Sequence, residues 1–390
     1  MSSAVIVSAV RTAVGTARKG SLANTLPERL AAIVVGEAVA RSGFAPGRID
    51  DVILAESLYG GGAVARHAAV ELGMMGAGGM ALNRHCAGGL SAIGVAAGAI
   101  LAGMEQIIIA GGVNGGSMMP RMSQRDPETG EWHDWWIPPT HPDSPEAPNR
   151  DMSITVGWNA AREVGLTREE MDAWALRSHQ RAIAAIDAGR FEAEIVPVRV
   201  KNAEGVEYDF KVDEHARRGG SMEKMATLAV LHPEIEGFSI TAGNSSGLND
   251  AASALVITSS TLAQAEAKPV LATILGWTSI GVDPARTGTS VPAVVQKLLL
   301  RTGVKLHDIK LWEINEAFAA VPLAACRVMG LDEENVNISG SGCSIGHPIS
   351  ASGGRMVITL INDLKRRGGG YGIATMCAGG GQAGAVLIKV

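Results

Sequence analysis

The run Asn83-Arg84-His85-Cys86-Ala87-Gly88-Gly89-Leu90, continued by Ser91-Ala92-Ile93-Gly94-Val95-Ala96-Ala97-Gly98-Ala99-Ile100-Leu101-Ala102-Gly103, decides how this chain is read. After Cys86 the residues are small or apolar on every side, the pattern of a helix buried all round. Cys86 therefore falls where a strand hands over to the N-terminus of a buried helix. A free cysteine, with a pKa of about 8.5, is mostly thiol at neutral pH, and the positive end of a helix dipole with its orphan N–H groups favours the thiolate. The same N–H groups suit a developing oxyanion. Read alone, the residue also fits the packing role of a small buried hydrophobe, which cysteine often fills.

Outward from that run the pattern alternates. Asp51 to Ala55 and Gln106 to Ala110 read as strands, the second leading into Gly111-Gly112-Val113-Asn114-Gly115-Gly116. Ala4 to Val10 reads as a buried strand, and Pro27 to Arg41 as an amphipathic helix with Leu30, Ile33, Val34 and Ala38 on one face. Strand, helix, strand order predicts a parallel sheet with helices on its faces. Between about Ser117 and Arg150 the pattern breaks into Pro, Asp, His and Trp, including Trp132, Trp135 and Trp136. So long an irregular segment is usually functional or lid-like, and the tryptophans suit an acyl pocket, a subunit contact or a loop folded on itself. Thr167-Arg168-Glu169-Glu170 has capping-box spacing at the head of a helix, on which His179 reads as a packed or solvated residue. Phe191 to Val200 and Tyr208 to Val212 read as strands of an inserted subdomain. Beyond Thr241-Ala242-Gly243-Asn244-Ser245-Ser246-Gly247 the alternation resumes. It ends with a helix expected from about Gly354 to Arg367 and two strands around Cys377-Ala378-Gly379-Gly380-Gly381.

At 390 residues the chain exceeds the ~250–300 at which one core stops growing, so two or more domains are expected. A net charge of -5 without a long like-charge block excludes electrostatic recruitment to nucleic acid or to a membrane surface. Cys86, Cys326, Cys343 and Cys377 form no CxxC pair, which favours a reducing compartment, cytoplasmic by default, and argues against structural zinc. The N-terminus lacks a signal-peptide pattern, no apolar run suits a membrane span, and the C-terminus is not a peroxisomal tripeptide. Two similar halves emerge, one containing Cys86 and the other Cys377, interrupted by about 117–245.

Three segments share one chemical logic: Cys86 at a helix start, His347 in a Gly-His-Pro turn, and Cys377 before three glycines. A thiol nucleophile needs a base, which histidine supplies near neutral pH. A carbon–carbon bond reaction needs a second base, and Cys377 beside glycine N–H groups suits that task.

Asn83-x-x-Cys86, Asn315-Glu316-Ala317-Phe318-Ala319, Gly346-His347-Pro348 and Cys377-x-Gly379-Gly380-Gly381, in this order across nearly the whole chain, resemble the thiolase family, the acetyl-CoA acetyltransferases and 3-ketoacyl-CoA thiolases. The resemblance implies an α/β thiolase fold, five-layered αβαβα, of two similar halves with an inserted loop domain. The first half would span 1–116, completed by 246–269, the loop domain 117–245 and the second half 270–390. It implies acyl-CoA and CoA as partners, CoA as a substrate, no permanently bound cofactor, no metal, and a homodimer or homotetramer serving fatty-acid metabolism such as β-oxidation. Cys86 would be the nucleophile, His347 its base and Cys377 the second acid and base. Asn315 with His347, and the N–H groups of Cys86 and Gly379, would form two oxyanion holes. Arg217, Ala242 and Ser246 match family positions near CoA, Phe318 flanks the acyl pocket, and Met152 keeps a pantetheine contact.

The chain departs from the family where Gly88 removes a hydroxyl, Asp151 replaces a histidine, and Gly157-Trp158 replaces Glu-Asn. Thr287 and Cys343 replace apolar residues, and Gln382-Ala383-Gly384 replaces x-Gly-x. These changes predict retained chemistry with altered acyl specificity, or, as an alternative, an acyl-CoA binding protein with little turnover. A nucleotide-binding oxidoreductase is disfavoured because Gly340-x-Gly342-x-x-x-Gly346 is not the dinucleotide fingerprint. A metal-binding role for Cys86, His347 and Cys377 explains the glycines less well.

Overall fold

The computed structural model describes residues 2–57, 63–135 and 139–390, so Trp136 lies outside the described residues. The N-terminal part runs β1 (Ala4–Thr12), β2 (Gly15–Thr16), α1 (Pro27–Ser42), β3 (Asp51–Ala55), α2 (Val64–Glu71), β4 (Met80–Leu82), α3 (Gly88–Leu101) and β5 (Ile107–Gly115). The middle holds a hairpin, β6 (Met122–Arg125) and β7 (Trp132–Trp135), then α4 (Asn159–Val164), α5 (Arg168–Asp187), β8 (Ile195–Val196), β9 (Val198–Lys201), β10 (Glu207–Phe210) and α6 (Met222–Ala226). The chain finishes with β11 (Asn249–Ser259), α7 (Ser260–Ala265), β12 (Ala272–Gly281), α8 (Val291–Thr302), β13 (Ile309–Ile314), α9 (Ala320–Met329), α10 (Ile349–Arg366), β14 (Tyr371–Ala378) and β15 (Gln382–Lys389).

The large sheet follows the order β13-β14-β15-β12-β1-β11-β5-β3-β4, with β2 beside β11 and β8 beside β1. It is mixed, whereas strand–helix alternation predicted a parallel sheet. β5, β3 and β4 are parallel, as are β13 and β14, but β11 and β15 run antiparallel to their neighbours. The glycine turn between β14 and β15 is too short for a crossover, so it forces an antiparallel pair.

Three apolar clusters define the layers. One packs α1 and α2 on β1, β5 and β11. Another packs α8 and α9 on β13, β14 and β15. Between them, Leu90, Ile93 and Ala96 of α3 and Met356, Val357 and Leu360 of α10 meet strands of both parts of the sheet. Helices outside, sheet, helices inside, sheet and helices outside make the αβαβα stack. Glycine lets the two central helices touch: a Cβ at Gly353 would stand 2.3 Å from the Leu90 nitrogen, and one at Gly89 2.9 Å from the Gly354 nitrogen.

Two local expectations shift. Helix α10 begins at Ile349, five residues before the expected start, because contact with α3 overrides the poor helix propensity of Gly353 and Gly354. Pro322 sits in the first turn of α9, where its missing N–H costs no bond, so the helix is not kinked there. The Thr167 capping box forms: its hydroxyl accepts from Glu170 N–H (3.1 Å), and the Glu170 carboxylate accepts from Thr167 N–H (2.8 Å). The stretch expected to be irregular contains the β6–β7 hairpin, from which Trp132 projects 68% exposed.

Candidate active site

Cys86 lies in a short 3-10 turn, His85–Ala87, that runs directly into α3. Burial pushes its thiol up to about 11, and the N–H groups of Gly379 and of Cys86 itself, both directed at the sulfur, offset only part of that. The helix start thus supplies the expected donors, but loss of water outweighs them in the free protein. Cys377, at the end of β14, is 1% exposed. Burial raises its pKa, and the neighbouring Cys86 raises it further.

His347 is 5% exposed, and burial, then the Arg355 charge, lower its pKa to about 3. Its Nδ1 lies 2.7 Å from Ser352 Oγ in the first turn of α10, and its backbone N–H donates to Asn249 Oδ1 (2.9 Å). Asn249 in turn donates to the Gly15 carbonyl (3.0 Å), which fixes the histidine turn to the N-terminal part of the sheet. The Asn315 amide nitrogen stands 3.3 and 3.4 Å from the two ring nitrogens of His347. Asn315 Oδ1 is buried and has no hydrogen-bond partner among the described residues, leaving capacity for a bridging oxygen.

The structure therefore brings Cys86, Gly379 and Cys377 together and pairs His347 with Asn315, whose N–H donates to the Thr375 carbonyl (3.1 Å) two residues before Cys377. Sequence reasoning missed several residues that hold them. Glu316 is fully buried and accepts from Trp174 Nε1 (2.9 Å), Asn337 Nδ2 (2.8 Å), Ser178 Oγ (2.6 Å) and Cys343 N–H (3.0 Å). It pins the Asn315 loop to α5 and to the turn before His347. A carboxylate inside the apolar Asn-Glu-Ala-Phe run was the available signal. Asn249 and Ser352 carried none beyond their polar type.

Arg217, Ala242 and Ser246 line a cavity of about 400 Å³ together with His179, His215 and Cys343. A second cavity of about 440 Å³ shares Arg217 and His215 and adds Arg18 and Lys19 at a basic outer wall. His179 is packed, with Nδ1 accepting Arg217 N–H (3.2 Å). Burial lowers the pKa of His179 and of His215 to about 4, helped by Arg217 in both cases. Arg218 instead pairs with Asp187 at the surface. Phe318 and Met152 belong to the apolar cluster next to this cavity rather than to its wall. The 242–247 loop is tied to Phe318 by Ser246 N–H to Ala317 O and Ala319 N–H to Asn244 O, both 2.9 Å.

Most of the departures find partners. The Ala55 methyl fills the space of a side chain at 88, since a Cβ at Gly88 would stand 2.7 Å from it. Asp151 accepts from Ser153 Oγ (2.6 Å) and pairs with His232 Nε2 (2.7 Å), so it is not a bare anion in the pocket. Phe318 occupies the room left at Gly157, where a Cβ would lie 2.9 Å from its ring. Thr287 Oγ1 accepts Gly381 N–H (3.0 Å), Gln382 Nε2 donates to Gly379 O (3.1 Å), and Thr140 lies against Gly380, bracing the glycine turn. Among the described residues no group of three or more His, Cys, Asp or Glu is placed to hold a metal ion. None of their helices is long and apolar enough to cross a membrane.

Residues 4–261 match the family model described as Thiolase, N-terminal domain, and residues 268–390 match Thiolase, C-terminal domain. The chain is 40% identical to an acetyl-CoA acetyltransferase of Pseudomonas aeruginosa, covering 100% of this chain and 99% of that relative. It is 38% identical to one of Escherichia coli, with 100% and 99% covered. The crystal structure of the Bacillus anthracis acetyl-CoA acetyltransferase superposes with a TM-score of 0.91 at 38% identity, covering 100% of this chain and 99% of that one. Human mitochondrial 3-ketoacyl-CoA thiolase does so with a TM-score of 0.91 at 30% identity and the same coverage.

Proposed function

The chain belongs to the thiolase family, and we propose that it is a CoA-dependent acyltransferase that cleaves 3-ketoacyl-CoA to acetyl-CoA and a shortened acyl-CoA, or runs the reverse Claisen condensation. The observation that supports this reading is the placing of Gly379 N–H and Cys377 beside the Cys86 sulfur, on the strand whose Thr375 carbonyl accepts the N–H of Asn315 (3.1 Å), itself paired with His347.

His347 takes the Cys86 proton as the sulfur attacks the C3 carbonyl. The oxygen gains charge against the N–H groups of Cys86 and Gly379, which already face the sulfur. Breaking the C2–C3 bond leaves the acyl group on Cys86 and an acetyl-CoA enolate, whose oxygen Asn315 and His347 stabilise and whose carbon Cys377 protonates. Cys377, left as thiolate, takes the proton of the CoA thiol as that sulfur attacks acyl-Cys86, and the departing Cys86 sulfur recovers its proton from His347. In synthesis Cys377 removes the α-proton of acetyl-CoA.

The cavity at Arg217, Ala242 and Ser246 would take pantetheine, with Met152 beside it and Phe318 towards the acyl group. The basic wall at Arg18 and Lys19 suits the CoA phosphates. No permanently bound cofactor is required. We also propose a cytoplasmic homodimer or homotetramer working in fatty-acid breakdown, with 117–245 as the inserted loop domain between halves at 1–116 with 246–269 and at 270–390. Cleavage of acetoacetyl-CoA by CoA, followed at the thioester absorbance, tests the reaction. Wild-type turnover that vanishes in Cys86→Ala supports it; acyl-CoA binding without any cleavage replaces it with a binding role.

A further inference from the structure

We propose that His85 determines acyl specificity, and that the preferred 3-oxoacyl-CoA carries a hydrogen-bonding oxygen, a hydroxyl or a carboxylate, on C5 or C6. This rests on the thiolase reading above. His85 immediately precedes the nucleophile, with φ of +45°, in the left-handed region that side chains larger than glycine rarely adopt. Asn83 Oδ1 accepts its N–H (2.8 Å) and Ser57 Oγ donates to its carbonyl (3.1 Å), so the peptide is held in that conformation from both sides.

The result is an unusual placement of the ring. A Cβ added at Gly379 would stand 3.6 Å from His85 Cγ and 3.8 Å from Cδ2, so the imidazole packs on the Cα of Gly379. The N–H of that same glycine faces the Cys86 sulfur. Two consecutive side chains, one nucleophilic and one polar, thus converge on a single glycine. A ring there flanks the acyl group carried by Cys86, and two or three carbon–carbon bonds of about 1.5 Å each reach from the reacting C3 to its neighbourhood.

The imidazole is partly buried, yet neither ring nitrogen has a hydrogen-bond partner among the described residues. Neither nitrogen is sealed from solvent, so water completes them in the free protein, and a substrate oxygen beside the reacting atoms would take that water's place. Burial lowers the His85 pKa, so at neutral pH the ring offers one donor and one acceptor, suiting a hydroxyl or a carboxylate. The polar strip continues along the turn. Thr140 stands against Gly380, where a Cβ would lie 2.7 Å from its own, and its hydroxyl lies 2.8 Å from His141 Nδ1 and 3.1 Å from Asn149 Oδ1. An all-carbon chain in this position covers the imidazole and leaves it unpaired.

The test compares kcat/KM for 3-oxohexanoyl-CoA, 5-hydroxy-3-oxohexanoyl-CoA and 3-oxoadipyl-CoA, with acetoacetyl-CoA as the short reference, in wild type, His85→Phe and His85→Gln. Wild type is expected to favour at least one oxygenated probe over 3-oxohexanoyl-CoA by about tenfold or more. His85→Phe should bring that ratio to about one, and His85→Gln, which keeps a donor and an acceptor, should restore part of it. A wild-type enzyme that cleaves acetoacetyl-CoA but shows no such preference overturns the inference and leaves the thiolase reading standing, whatever becomes of the variants. A preference that survives in His85→Phe also overturns it. Failure of wild type to cleave any of the four removes both.

Discussion

Ser352→Ala removes a single oxygen from the site and should slow the enzyme without weakening substrate binding. The Ser352 hydroxyl lies 2.7 Å from Nδ1 of His347, and both residues are buried. A neutral imidazole can serve Cys86 through Nε2 only when its proton sits on Nδ1, and the serine oxygen accepts that proton in a hydrogen bond. Without it, either the tautomer reverses or a buried N–H is left unpaired, at about 1–3 kcal/mol. Since 1.36 kcal/mol is tenfold in rate, kcat should fall about 5- to 150-fold. In the proposed mechanism His347 acts as the sulfur attacks, so KM should stay within about twofold, the signature of an interaction made only in the transition state. Steady-state cleavage of acetoacetyl-CoA gives both constants, and a thermal melt on the same samples reports folding. A melting temperature that falls while kcat stays at the wild-type value would show that the serine supports structure alone and that tautomer control is wrong.

Acid should destabilise the fold well above the carboxylate range. His347 at about 3 and His179 and His215 at about 4 stay neutral when folded, against about 6.5 unfolded. From pH 6.5 down to about 4 the unfolded chain therefore binds the extra protons, so each histidine lowers stability by about 2 kcal/mol at pH 5. Glu313, raised to about 8 chiefly by burial, opposes this because it keeps its proton in the folded chain between its unfolded value of about 4.5 and 8. Three histidines against one glutamate leave a net loss, and a urea midpoint no lower at pH 5 than at pH 7 contradicts it. Gly157→Ala should cost about 1–3 kcal/mol by overpacking, because its Cβ would stand 2.9 Å from the Phe318 ring and 3.2 Å from Ile240 Cδ1. An unchanged melting temperature argues against that. Arg11→Met should cost about 3–5 kcal/mol, since Glu194 (2.8 Å) and Asp213 (2.8 Å) lose a fully buried partner. Urea unfolding within about 1 kcal/mol of wild type would show that those carboxylates are satisfied by their other donors.

The sequence made legible whatever is local. Cys86 stood out because the helix after it is written in adjacent small residues, and Thr167 because a capping box lies within four positions. What stayed hidden depends on partners far along the chain. Asn249 meets His347 from 98 positions away, and β1 reaches both β11 and β12 across most of the chain. The start of α10 lies five residues before the expected Gly354, in a turn whose packing against α3 no local pattern shows. His85 escaped notice for another reason. Residue type gives no hint of a left-handed backbone at a non-glycine position, and only that conformation turns the ring onto Gly379.

Two departures from the family pattern, Thr287 and Gln382, share the glycine turn as their target, and two further residues, Thr140 and His85, join them there. Thr287 holds Gly381 N–H, Gln382 holds the Gly379 carbonyl, Thr140 leans on Gly380 and His85 on Gly379. That turn carries the donor facing the Cys86 sulfur, and Gly380 and Gly381 are left-handed, at φ +82° and +71°. Fixing it matters because burial holds the resting pair neutral, with Cys86 pushed up to about 11 and His347 down to about 3. A thiolate–imidazolium pair is then unfavourable until a carbonyl arrives to pass the charge to the waiting N–H groups. Preorganised donors contribute most in such a dry site, since they need no reorganisation when the charge appears. In the mechanism and specificity proposed above, residues that stiffen the turn act on catalysis and on acyl choice together, because the same backbone would receive the oxyanion and set the wall against which the acyl chain is read.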